Sequence, residues 1–111
     1  MNKLILAFVV CFGLTACGMA IEKNAKEVIE AQFAEEIKNG TVVFKAIDIS
    51  KPENEKIAEK YEVTWSSLFI SKWIDGKETY ENLTEYAFAN ARKNPDAFKS
   101  EINSKIRTAL K

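Results

Sequence analysis

Few side chains in this 111-residue chain could do covalent chemistry near neutral pH: there are two cysteines, Cys11 and Cys17, and no histidine. Without histidine, Ser-His-Asp and Cys-His nucleophile activation, His-ligated zinc and the usual neutral-pH general base are excluded. The cysteines are spaced C-x5-C, which matches neither a redox C-x-x-C nor a zinc framework, so no metal site is expected. Gly13, Gly18, Gly40 and Gly76 never form G-x-G-x-x-G, so no flavin or nicotinamide cofactor is expected either. What is left is one thiol, Cys17, at the start of the first expected helix, where the positive end of the helix dipole lowers a thiol pKa. The balance leans against an enzyme, with a lone-thiol redox protein using Cys17 as the alternative.

That thiol has a competing role. Met1-Asn2-Lys3 is a short basic start, Leu4 to Leu14 is an apolar run of eleven residues, and Leu14-Thr15-Ala16-Cys17 follows directly, which is the tripartite pattern of an export signal. The run is shorter than the about 20 apolar residues a membrane-spanning helix needs. Leu14-Thr15-Ala16-Cys17 resembles the lipobox of bacterial lipoproteins. The resemblance implies a signal peptide over 1–16, cleavage before Cys17, lipidation of its sulfur, and a mature domain over 17–111. That domain would sit at the bacterial cell envelope on a lipid anchor, facing the periplasm in a Gram-negative host. The alternative is that Leu4 to Phe12 is a buried first strand, because strands covered on both faces also read as unbroken apolar runs.

The elements that would position these residues follow along the chain. Ile21, Ala25, Val28, Ile29, Phe33 and Ile37 recur at helical spacing and predict one amphipathic helix over Ala20 to Lys38. Asn39-Gly40 stops it, and Thr41 to Ile49 reads as a mostly buried strand. Ser50-Lys51-Pro52-Glu53 fits a capping box opening a short helix to about Lys60. Leu68 to Ile74 is an apolar strand that turns at Asp75-Gly76 and returns over Glu78 to Glu81 as a hairpin. Asn82 and Glu85 start a helix with the stripe Leu83, Tyr86, Ala87 and Ala91. Asn94-Pro95-Asp96 starts the last helix, with Phe98, Ile102, Ile106 and Leu110 on one face.

This order resembles a thioredoxin fold from its first catalytic-site helix onward. Val43 to Val63 resembles the thioredoxin segment in which a strand ending in Asp precedes a short helix and Ala-x-x-Tyr-x-Val, here Ala58 to Val63, and Asp75-Gly76-Lys77 resembles that family's hairpin. Ala20 to Val28, Asn39 to Lys45 and the Asp75…Glu85 block are similar to the bacterial "nitrophenyl compound nitroreductase subunit ArsF family", over roughly residues 20–111. The resemblance implies an α/β thioredoxin-like fold: a small mixed sheet flanked by helices, with a helical C-terminus. It also implies a strand before the first helix, lying between the next two strands and taken as parallel to them, a slot that Leu4 to Phe12 is expected to fill.

Two departures shape the functional expectation. The family's C-x-x-C positions fall on Thr15 and Gly18, so the nucleophile and resolving thiol that disulfide exchange needs are missing. Where thioredoxins place a cis-proline, this chain has Trp65, Ser66 and Ser67. The expectation is a redox-inactive envelope module that binds a protein or peptide through the Trp65-Ser66-Ser67 loop. The alternatives are a single-thiol or nitroreductase-associated redox subunit, and a relative whose signal joins a domain lacking its first strand. Sixteen Lys and Arg balance sixteen Asp and Glu, which suggests no nucleic-acid partner.

Overall fold

A computed structural model describes residues 3–11, 16–62 and 67–111. Its elements are β1 (Lys3–Cys11), α1 (Ala16–Gln32), α2 (Ala34–Lys38), β2 (Val42–Asp48), α3 (Glu55–Lys60), β3 (Ser67–Ile74), β4 (Lys77–Asn82), α4 (Thr84–Asn90) and α5 (Pro95–Leu110), with a 3-10 turn over Pro52–Asn54 before α3. The four strands form one mixed sheet in the order β2-β1-β3-β4, and the fold is the expected small α/β arrangement, a mixed sheet flanked by helices with a helical C-terminus.

The apolar run near the N-terminus supplies the central strand. β1 pairs with β2 in parallel, Ile5 opposite Val42 through Cys11 opposite Asp48, and with β3 antiparallel, Lys3 opposite Ile74 through Val10 opposite Ser67. The slot is therefore filled as expected, but β3 runs against β1. The registers fix the direction: β2 starts beside Ile5 and ends beside Cys11, whereas β3 starts at Ser67 beside Val10 and ends beside Lys3.

Alternation along β1 sends Ile5, Ala7 and Val9 to one face and Phe8 to the other. On the first face they join Ile21, Ala25 and Ile29 of α1, Ala87 of α4, and Phe98, Ile102 and Ile106 of α5 in the main core. Phe8 and Phe69 anchor a smaller cluster beneath α3, with Leu6, Ile47, Ile49, Ala58 and Tyr61 packed against it. Coverage on both faces explains why β1 is apolar without interruption. Lys3 also has a structural role, its Nζ donating to the carbonyl oxygens of Leu110 at 3.0 Å and Lys111 at 2.9 Å, a cation at the negative end of α5.

Four expectations are corrected. The first helix breaks at Phe33 (φ −127°, ψ 33°), where the buried ring stays in the core while α2 turns toward β2, leaving Ile37 37% exposed. β2 is an edge strand, and of its residues only Val42 is buried. The capping box at Ser50 does not form: the Ser50 amide and hydroxyl both donate to Asp48 Oδ1, at 2.9 and 2.6 Å, and this shorter loop outcompetes the longer reach to Glu53. Asn82 works likewise, its Oδ1 accepting from the amide of Thr84 at 2.9 Å and from the Thr84 hydroxyl, so α4 begins at Thr84 behind an Asx turn.

The hairpin is as the sequence implies. Asp75 at φ 50° and Gly76 at φ 83° make the left-handed pair of a type I′ turn, with Ile74 opposite Lys77. Gly76→Ala is expected to destabilise the fold by about 1–2 kcal/mol, because a Cβ is strained at that φ although the space around it is open. Urea unfolding checks this, and an unchanged midpoint would mean that the turn relaxes without cost.

Candidate functional site

Of the residues singled out from the sequence, Cys17 and Ser67 lie toward one end of the sheet. The chain leaves β1 after Cys11 and enters α1 at Ala16, so Cys17 occupies the first helical turn. Ser67 opens β3 opposite Val10, at the same end. The carboxyl ends of the parallel pair β1 and β2 and the amino end of β3 therefore share this end of the sheet. Met19, two residues beyond Cys17, is 55% exposed there. Trp65 and Ser66 lie outside the described residues. Ser67 is buried, so its hydroxyl offers a ligand little surface. The edge is closed on the β3 side by Leu83 N–H donating to the Leu68 carbonyl at 2.8 Å and Leu68 N–H donating to Thr84 Oγ1 at 3.2 Å.

A second polar constellation lies on the α3 face, and sequence reasoning missed it. Hairpin register sets Ser71 opposite Tyr80 and Trp73 opposite Glu78, so Ser71 and Glu78 share one face of the sheet. Tyr61, just past the end of α3, donates its hydroxyl to Glu78 Oε2 at 2.7 Å, and the Ser71 hydroxyl donates to the same oxygen. Lys60 Nζ reaches Glu78 Oε1 at 3.0 Å and lies 4.9 and 5.0 Å from the ring centres of Tyr61 and Trp73. Phe8, Tyr61, Phe69 and Tyr80 pack around it with ring centres 4.9 to 5.8 Å apart.

The Glu78 side chain is only 9% exposed. Burial pushes its carboxyl up, but hydrogen bonds from Ser71, Tyr61 and Lys60 outweigh burial, and the net pKa lies below the ordinary carboxylate value. Burial, with the bond to Glu78, raises the Tyr61 phenol, while Glu78 and Tyr61 hold Lys60 charged. Each group is thus fixed in its ordinary protonation state with its partners engaged. The arrangement clamps the end of α3 to the β3–β4 hairpin and is not poised for proton transfer. Its one sequence signal is Ser71, a lone hydroxyl in the apolar run Leu68-Phe69-Ile70.

Among the described residues, no group of three or more Cys, Asp or Glu is arranged to hold a metal ion, and no helix is long and apolar enough to cross a membrane. No protein-family model matches the chain, and a comparison with curated proteins found no match.

Proposed function

We propose that this chain is a thioredoxin-like module that binds a protein or peptide at the carboxyl end of β1, carries out no dithiol exchange, and works with residues 3–11 retained. The observation that carries the reading is β1 itself: it is the central strand, paired on both sides, and it leads the chain to Cys17 and exposed Met19 at the start of α1. An exposed thioether is an adaptable apolar contact, suited to extended segments of varied sequence. The lack of a C-x-x-C supports binding without redox turnover.

A second reading is favoured by Leu14-Thr15-Ala16-Cys17: a lipid-anchored envelope module with Cys17 as the acylated first residue. The two are exclusive, because cleavage before Cys17 removes β1. Intact-mass analysis of soluble and membrane fractions from a bacterial host separates them. A full-length, unmodified chain is expected; a diacylated species starting at Cys17 overturns the retained-strand reading. In the same preparation, insulin disulfide reduction is expected to stay at the uncatalysed rate. Turnover abolished by Cys17→Ser would establish the single-thiol redox protein instead. Binding to arrayed extended apolar peptides is expected to weaken in Met19→Asp, and binding indifferent to that change would move the contact surface elsewhere.

A further inference from the structure

The sheet ends in two open edges of opposite character. Along β4, Lys77 and Glu81 are exposed charges of the kind that discourage further pairing. β2, Val42 to Asp48, has one charged side chain before its last residue, Lys45. The Ile5 amide donates to the Thr41 carbonyl at 2.7 Å, so the parallel ladder to β1 uses the peptide groups of the odd-numbered residues. The peptide groups of Val42, Phe44 and Ala46 therefore face away from the sheet, and among the described residues no strand pairs with that edge. A groove of about 420 Å³ runs beside it, with Ile37, Phe44 and Ala46 as its apolar floor and Glu22, Lys23, Lys26 and Glu30 on its α1 side.

We propose that two copies of this chain associate by antiparallel pairing of their β2 edges, Phe44 opposite Phe44 across the twofold axis and Val42 opposite Ala46, making one sheet continuous through both. The charges select a second copy as occupant. The α1 side of the groove holds two carboxylates and two ammonium groups, so an identical surface turned through a twofold axis can return an opposite charge to each. A strongly acidic or basic partner meets two like charges there whatever its pose. The chain's formal net charge of zero adds no long-range repulsion between copies. Register follows from Lys45: pairing centred on Lys45 sets two ammonium groups directly opposite, whereas pairing centred on Phe44 sets each Lys45 against Val43.

Analytical ultracentrifugation of the full chain from micromolar to millimolar concentration, with amide exchange followed by NMR, tests this. The expected result is a concentration-dependent dimer in which the outward amides of Phe44 and Ala46 gain about tenfold or more protection as dimer forms. Val43 and Lys45, already bonded to β1, should change little. Ala46→Pro deletes an outward donor that the β1 ladder does not use, and Ala46→Asp keeps the donor but puts a carboxylate in the seam; each is expected to weaken the dimer at least about tenfold. Should Ala46→Pro also lower the urea midpoint, Ala46→Asp decides. A monomer throughout, a dimer unaffected by Ala46→Asp, or protection at Phe44 and Ala46 that ignores concentration each overturns the proposal.

Discussion

A fragment comprising residues 17–111 is expected to lose its cooperative fold. Removing 1–16 deletes β1, and with it, among the described residues, the strand that joins β2 to the β3–β4 hairpin. Ile5 and Val9 are fully buried and Phe8 is 1% exposed. Burying side chains of that size contributes about 1.5–3 kcal/mol each, so their loss is comparable with the about 5–15 kcal/mol that holds a typical domain together. The inner edges of β2 and β3 are left without partners, and the core-facing side chains of α1 and α5 lose the strand they cover. Urea titration of the fragment should show no sigmoidal transition, and near-UV circular dichroism should be flat while some far-UV signal persists. A fragment that unfolds cooperatively near the midpoint of the full chain would mean that β2 and β3 can pair directly. The lipid-anchored reading would then displace the retained-strand one.

The N-terminal ambiguity shows where sequence reasoning stops. An export signal must be apolar and unbroken to enter the translocation machinery, and a central strand must be apolar and unbroken because both its faces are covered; Leu4 to Phe12 satisfies both. Lys3 is equally double, a basic start to a signal or the ligand of the α5 carbonyls. Features whose cause is local were legible: the Asp75-Gly76 turn, the Asn94-Pro95 start of α5 and the Phe98, Ile102, Ile106 stripe all follow from residues within a few positions of one another. The central place of β1 was read through the fold resemblance, but how far each neighbouring strand is buried and which way it runs were not. Val42 to Ile47 is as apolar as a core strand, yet β2 lies at an edge because β1 takes the centre. The direction of β3 was missed for the same reason, since composition carries no polarity.

The Glu78 cluster was illegible for a further reason. A glutamate beside a hairpin turn reads as a solvated strand residue, and nothing near it in sequence announces that Ser71, Tyr61 and Lys60 converge on it. Once the register is known the convergence is forced, because Ser71 and Glu78 share one sheet face and α3 lies across it. Glu78→Ala is expected to cost about 2–4 kcal/mol, chiefly by leaving the Ser71 hydroxyl, fully buried, and the Tyr61 hydroxyl without their acceptor. Lys60, about half exposed, is rehydrated and contributes little to the loss.

Glu78→Gln separates charge from shape through pH. The folded carboxyl titrates below its ordinary 4.5, so its contribution is fully present above that value and is lost as pH falls through the depressed folded one. The stability difference between wild type and Glu78→Gln should therefore be constant above about pH 6 and shrink steadily as the solution is acidified below 4.5. Glu27, paired with Lys99, and Asp48, bonded to Ser50, also have lowered values, but they are present in both proteins and cancel in the difference. A difference that stays constant down to pH 3 would mean that Glu78 is not held ionised by its partners. A difference that shrinks in Glu78→Gln but persists against Ser71→Ala would assign the charge preference to Tyr61 and Lys60 rather than to the strand hydroxyl, and would leave the tie between α3 and the hairpin as the part of the fold that fails first in acid.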